Sequence, residues 1–211
     1  MNQSLKHIEA IIFDFGGVVL NLDEQQTYTQ MSNLLGISLE DLQNQVLRSK
    51  EFFNLECGTI TPNKFIEFIH SKSKNNITDS QIIKAWNAML LDLPQQHVTL
   101  LLELKKHFRT FLLSNTNAIH EDCFVTNIKN QGYTITLQDM FETVWYSHVL
   151  GLRKPNKDIF IEVAKRADLN PTNTLFIDDR IDNIQTAQEL GFKTHHITPQ
   201  HGIIDYFAGY L

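Results

Sequence analysis

The sequence predicts an α/β fold: a doubly wound parallel sheet with a small α-helical module inserted after its first strand. Three observations predict it. Strand-like and helix-like segments alternate from residue 96 to the end, the pattern of βαβ units with parallel strands. The stretch 24–93 carries helical periodicity and no strand. Polar residues follow apolar runs directly at Asp14, at Ser114-Asn115 and at Asp178-Asp179, and ligands of parallel sheets sit beyond the carboxyl ends of the strands. At 211 residues the chain is long enough for one sizeable core with an appended module.

The elements follow in order. Ile11-Ile12-Phe13 is a β-favouring run that stops at Asp14 and a Gly16-Gly17 turn. Four helical segments come next. Thr27, Met31, Leu34 and Leu35 share a face that ends at Gly36, and Ser38 is placed to cap a segment carrying Leu39, Leu42, Val46 and Leu47. Thr61-Pro62 opens a third, with Phe65, Ile66, Phe68 and Ile69, and Thr78-Asp79 a fourth, with Ile82, Ile83, Trp86, Met89 and Leu90. The polar run 72–76 reads as a loop between them. After Pro94 the expectation is helix 98–107, strand 109–113, helix 118–130, strand 141–146, helix 158–167, strand 174–177, helix 181–190 and strand 193–197. The core is therefore expected from 1–22 and 95–211, the helical cap from 23–94, and hinges at 20–23 and 93–95.

Composition narrows the class of function. Apolar residues make up 42% and charged residues 20%, with a net charge of −6 and no basic run, so a nucleic-acid surface is not expected. The first residues lack the apolar core of a signal peptide, and the apolar run 8–22 is too short and too broken by Asp14 and two glycines to span a membrane. Cys57 and Cys123 lack metal-ligand spacing and read as free thiols of a cytoplasmic protein. His195-His196, the adjacent histidine pair, has no cysteine or carboxylate partner nearby in sequence. A monomer or small homo-oligomer acting on a small molecule is the expectation.

The polar residues at the strand ends make chemical sense together. Each alone would serve as a helix cap, but capping does not call for two adjacent aspartates after a strand, nor for Lys154 in the loop after Gly151. Three carboxylates in one cleft repel unless a cation lies among them, and an all-oxygen ligand set suits Mg²⁺. A phosphoryl group would bind that metal, Lys154 and the Ser114 hydroxyl. A carboxylate in line with phosphorus attacks it, and water hydrolyses the resulting aspartyl-phosphate. The turn after Asp14 adds backbone N–H groups, which its glycines allow to come close.

These residues carry a family resemblance. Asp14-Phe15-Gly16-Gly17-Val18-Val19 resembles the first motif of the haloacid-dehalogenase-like (HAD) hydrolases, whose leading Asp is the nucleophile. Leu113-Ser114-Asn115 resembles the phosphate-binding second motif, and Gly151-Leu152-Arg153-Lys154-Pro155 the third, which supplies the lysine. Phe176-Ile177-Asp178-Asp179, followed by Asn183, resembles the acidic fourth. The resemblance covers nearly the whole chain and implies a Rossmann-like core, an α-helical cap and a phosphatase. It implies Asp14 and Lys154 as catalytic residues, and Ser114, Asn115, Lys154 and Gly17 as the phosphate site. Mg²⁺ is implied on Asp14, Asp179 and the Gly16 carbonyl, with Asp178 and Asn183 orienting that set.

One departure stands out. The family's phosphatases usually carry a second Asp two residues after the nucleophile, where this chain has Gly16. Members with a Gly-Gly or Gly-Asn pair there resemble sugar-phosphate phosphatases, so a phosphorylated metabolite, a sugar phosphate first of all, is the expected substrate. Asp23, the nearest acid after the turn, reads as a helix cap in preference to a replacement acid. Two other functions share the motifs: a metal-independent 2-haloacid dehalogenase, which does not need Asp178-Asp179, and a weakly catalytic protein that only binds a phosphorylated ligand. In the insert, the turn 56–61 is either a tight interhelical loop capped by Thr61 or a substrate-choosing loop with Glu56 and Gly58 over the site. Phe52-Phe53 reads as insert core.

Overall fold

The computed structural model describes residues 5–209. Five parallel strands form one sheet: β1 (Ala10–Phe13), β2 (Arg109–Ser114), β3 (Thr143–Tyr146), β4 (Thr174–Asp178) and β5 (Lys193–His196), in the order β3-β2-β1-β4-β5. All four residues of β1 are buried, because helices cover both faces of the sheet. Alternation divides the side chains. Ile11, Phe13, Leu112, Leu175 and Ile177 face one layer with α6 (Gln95–Leu104), α7 (Ala118–Asn130) and α12 (Ile203–Phe207). Ala10, Ile12, Phe111, Leu113 and Phe176 face α10 (Lys157–Arg166) and α11 (Ile181–Glu189) on the other.

β1 has β2 on one side and β4 on the other, so the winding reverses at its carboxyl end, where a crevice opens. The registers Phe13 with Leu112 and Phe13 with Ile177 bring the next residues of all three strands to the same level. The Asp14 N–H donates to the Ile177 carbonyl at 2.8 Å and continues that register past the strand.

Between β1 and α6 lie α1 (Glu24–Leu35), α2 (Leu39–Leu42), α3 (Lys50–Glu56), α4 (Pro62–Lys72) and α5 (Asp79–Trp86). They enclose a second apolar cluster that includes Met31, Leu35, Val46, Phe65, Ile69 and Trp86. Ser38, Ser49, Thr61 and Thr78 each accept from a backbone N–H of the turn they open, each such cap being worth ~1 kcal/mol. The entry and exit segments run side by side: Asn21 N–H donates to the Asp92 carbonyl, Leu91 N–H to that of Asn21, and Asp23 N–H to that of Met89. The expected hinge 20–23 is thus one half of a hydrogen-bonded pair of crossings.

Where sequence and structure differ, local physics explains it. The second expected helix of the insert is two, because a π-helical turn (Gln43–Leu47) ends α2 and Ser49 caps a fresh start. α6 begins at Gln95, directly after Pro94 and three residues earlier than expected. α8 (Leu137–Met140), α9 (Ser147–Leu150) and α12 were not anticipated, being four or five residues long. No helix of the described residues is long and apolar enough to cross a membrane, and both cysteines are free.

Candidate active site

The site begins with the loop that carries Lys154. α9 ends at Gly151 in the left-handed region, φ 73°, and the chain returns toward β2. There the Asn115 side chain holds the Lys154 backbone from both sides, donating to its carbonyl at 2.8 Å and accepting from its N–H at 2.9 Å. With its backbone pinned, the Lys154 side chain runs inward and is 1% exposed. Its ammonium donates to Asp14 Oδ1 at 2.6 Å, Asp178 Oδ2 at 2.7 Å and the Leu113 carbonyl at 2.8 Å. An ammonium has three protons and all three are engaged.

Asp178 is saturated. Besides Lys154, it accepts from Asn183 Nδ2 at both oxygens, 2.9 and 3.0 Å, and from the Arg180 N–H at 2.8 Å. Its neighbour Asp179 turns the other way, against the turn that follows Asp14. Gly17 has φ 79°, and a β-carbon there would lie 2.5 Å from Asp179 Oδ2. The carboxylate therefore packs where a side chain would otherwise stand. Carboxylate oxygens of Asp14, Asp178 and Asp179 lie within 4.8 Å of one another.

Burial and charge act together on these groups. Burial, reinforced by Asp178 and Asp179 and opposed by Lys154, pushes the Asp14 carboxyl up to about 7. Burial and Asp178 push Asp179 up to about 6. Burial alone would lower the Lys154 ammonium, but Asp14 and Asp178 hold it above the ordinary range. Raised carboxyls beside one fully engaged cation mark a place that favours more positive charge. Hard oxygen donors fit a small divalent ion such as Mg²⁺.

The structure brings together Asp14, Gly16, Gly17, Asn115, Lys154, Asp179 and Asn183 around a cleft of about 800 Å³. Ser114, buried at the end of β2, lines a narrower extension of about 140 Å³ that also meets Gly16 and Glu56. The Gly17 N–H donates to the Leu20 carbonyl at 2.9 Å, and the absence of a side chain at Gly17 makes room for Asp179. Asn115 fastens the Lys154 loop rather than presenting its whole amide to the cleft.

From the insert, Glu56 is 7% exposed and lines the cleft, while Gly58 (φ 65°) packs so closely that a methyl group would overlap the His148 carbonyl oxygen. Asp23 caps α1, accepting from Gln25 N–H. Phe52 packs edge-on to Trp86 in the insert core, whereas Phe53 is 38% exposed at the cleft wall and does not belong to that core.

Arg153, Tyr28 and Glu24 are among the cleft residues to which sequence assigned no role. Arg153 pairs with Glu56 at 2.8 Å and lies over the Phe53 ring. Tyr28 donates to Glu24 at 2.7 Å. The available signals were the adjacency of Arg153 to Lys154 and the i,i+4 spacing of Glu24 and Tyr28 on α1.

A family of hydrolases, the haloacid dehalogenase-like hydrolases, matches residues 8–191. The chain belongs to this family. Among HAD-like relatives, a D-ribitol-5-phosphate phosphatase of Bacteroides thetaiotaomicron is 28% identical over 197 residues, covering 92% of this chain and 93% of the relative. A sesquiterpene phosphatase of Aspergillus oryzae is 27% identical, covering 90% of each. The crystal structure of a HAD family enzyme from Bacteroides thetaiotaomicron, in complex with magnesium and inorganic phosphate, superimposes with a TM-score of 0.85 at 32% identity. It covers 95% of this chain and 99% of that one.

Proposed function

We propose that this HAD-like hydrolase is a phosphatase of small phosphorylated metabolites, with phosphorylated sugars and polyols foremost, working through an aspartyl-phosphate on Asp14. The observation that carries the reading is the Lys154 ammonium held between Asp14 and Asp178, with the Asp179 carboxylate seated alongside against Gly17. The phosphatase relatives and the magnesium and phosphate bound by the solved HAD enzyme support it.

Asp14, Asp179 and the Gly16 carbonyl would hold Mg²⁺, which when bound offsets negative charge on the transferring phosphoryl group. Asp178, already bonded to Lys154, Asn183 and the Arg180 N–H, is read as fixing Lys154 rather than as a direct ligand. In the first step an Asp14 carboxylate oxygen bonds to phosphorus as the ester P–O bond breaks, and the departing oxygen takes a proton from water. Water then attacks the acyl phosphate, releasing inorganic phosphate and regenerating Asp14. Lys154 holds the carboxylate by one oxygen, which leaves the other to attack. Ser114 binds a phosphoryl oxygen through its hydroxyl, Lys154 offsets phosphoryl charge from its place between Asp14 and Asp178, and the insert closes the cleft against bulk water.

The test is hydrolysis of p-nitrophenyl phosphate and of a panel of sugar, polyol and acyl phosphates by the purified protein. Phosphate release should require Mg²⁺, stop on chelation and return when the ion is restored. Release that persists after chelation, or no release from any ester, would overturn the reading.

A further inference from the structure

We propose that Glu56 is a specificity-determining residue that, by neutralising Arg153, restricts the substrate to phosphate esters whose leaving group is uncharged and hydroxyl-bearing. This rests on the phosphatase reading above and goes on to define the part of the substrate that is not phosphate.

Among the described residues lining the large cleft there are three lysines and arginines, and each is already paired. Lys154 is held by Asp14 and Asp178 deep in the site. Arg180 lies at the rim against Asp182, at 3.3 Å. Arg153 stands next to Lys154 and is the cation best placed to meet a second anionic group, yet its Nε lies 2.8 Å from Glu56 Oε2, and its guanidinium rests on Phe53. Carboxylates outnumber these cations two to one along the same wall. His120, on the wall of the narrow extension, adds no charge, because burial holds it down to about 3.

A substrate with a carboxylate or a second phosphate would therefore meet unbalanced negative charge in a partly dehydrated cleft. A hydroxylated chain meets acceptors and donors instead. Beyond the contact between Glu56 Oε2 and Arg153 Nε, the carboxylate keeps its other oxygen and the guanidinium its remaining N–H groups, so hydroxyls can donate to the one and accept from the other. Glu56 borders both the cleft holding Asp14 and the extension holding Ser114. Its carboxylate thus lies on the wall that the two share. Gly58, two residues on, is locked against the His148 carbonyl, and this fixes the loop that presents Glu56.

The test uses two matched probes, ribitol 5-phosphate and the 5-phosphate of ribonic acid, which differ in one terminal group, CH₂OH against carboxylate. Binding is measured calorimetrically in an Asp14→Asn background, where turnover does not interfere, and kcat/KM is measured in the otherwise unaltered enzyme. The polyol phosphate should be favoured in both. Glu56→Gln frees the Arg153 charge without changing shape, and should improve the acid phosphate relative to the polyol phosphate by about tenfold or more, the size of one charge-assisted hydrogen bond. Adding Arg153→Met to Glu56→Gln should abolish that gain. Equal binding of the two probes by the Glu56 protein overturns the proposal. So does a gain that survives removal of Arg153, or an unchanged ratio in Glu56→Gln. Absence of phosphatase activity on every ester would defeat the functional reading separately, while the binding arm would still decide the charge selection.

Discussion

Replacing Lys154 by Met would expose how much of the site's negative charge one side chain balances. The ammonium makes three bonds of 2.6–2.8 Å and is 1% exposed. Met fills similar volume but leaves Asp14 and Asp178 without their cation and Asp179 beside them. Removing one partner of a buried ion pair costs about 3–5 kcal/mol. At roughly 2–4 °C per kcal/mol for a chain of this size, the melting temperature should fall by about 6–20 °C. The loss should be measured by calorimetry without divalent ions and again with saturating Mg²⁺, which supplies positive charge to the same carboxylates and should return part of it. Asp14→Asn added to Lys154→Met should also recover stability, because it removes one of the repelling charges, and the two substitutions should not be additive. A Lys154→Met protein that melts with the parent in the absence of metal would refute the electrostatic account of the site.

Gly17→Ala forces a β-carbon against Asp179 at a positive φ, itself a strain of about 1–2 kcal/mol. The Mg²⁺ concentration needed for half-maximal activity should rise at least about tenfold, and an unchanged requirement would show that Asp179 is not a ligand. Gly58→Ala should lift the end of α3 from the His148 carbonyl. Amide exchange should then quicken in α3 while β1 and β4 keep their protection, and uniform exchange throughout would contradict the contact. His120 is held down to about 3 by burial, against its ordinary 6.5. Between those values the unfolded chain binds a proton that the folded one does not, so the protein loses stability as pH falls from 6.5 toward 3. Urea unfolding at pH 7.5 and pH 5 should show a larger loss in the parent than in His120→Gln.

The parallel core was legible because its signals are redundant. β1, β2 and β4 are apolar on both faces, and each ends at a residue that no core would hold without purpose. The helices with stripes of several turns were legible too, as were the caps at Ser38 and Thr61. α8, α9 and α12 were not, since one turn of helix has no period to read. Nor was the break at Ser49, because the π-helical turn before it comes from how the insert packs.

At the site, sequence named the residues but not their partners. That Asn115 grips the Lys154 backbone, and that Glu56 neutralises Arg153, depends on loops meeting across long separations. Gly17 is a related case. Close approach of the turn was anticipated from its glycines, but whether the turn offers its N–H outward or bonds it to Leu20 is a property of the folded turn alone.

The central claim is that Asp14 is phosphorylated during turnover, and a single-turnover acid quench with a labelled phosphate ester tests it most directly. The label should appear on the peptide carrying Asp14 within the first turnover, should be released by hydroxylamine as an acyl phosphate is, and should be absent in Asp14→Asn, which should also release no phosphate. Normal turnover with no protein-bound phosphate at any quench time, or phosphate release by Asp14→Asn near the parent rate, would contradict it and point to direct attack by water.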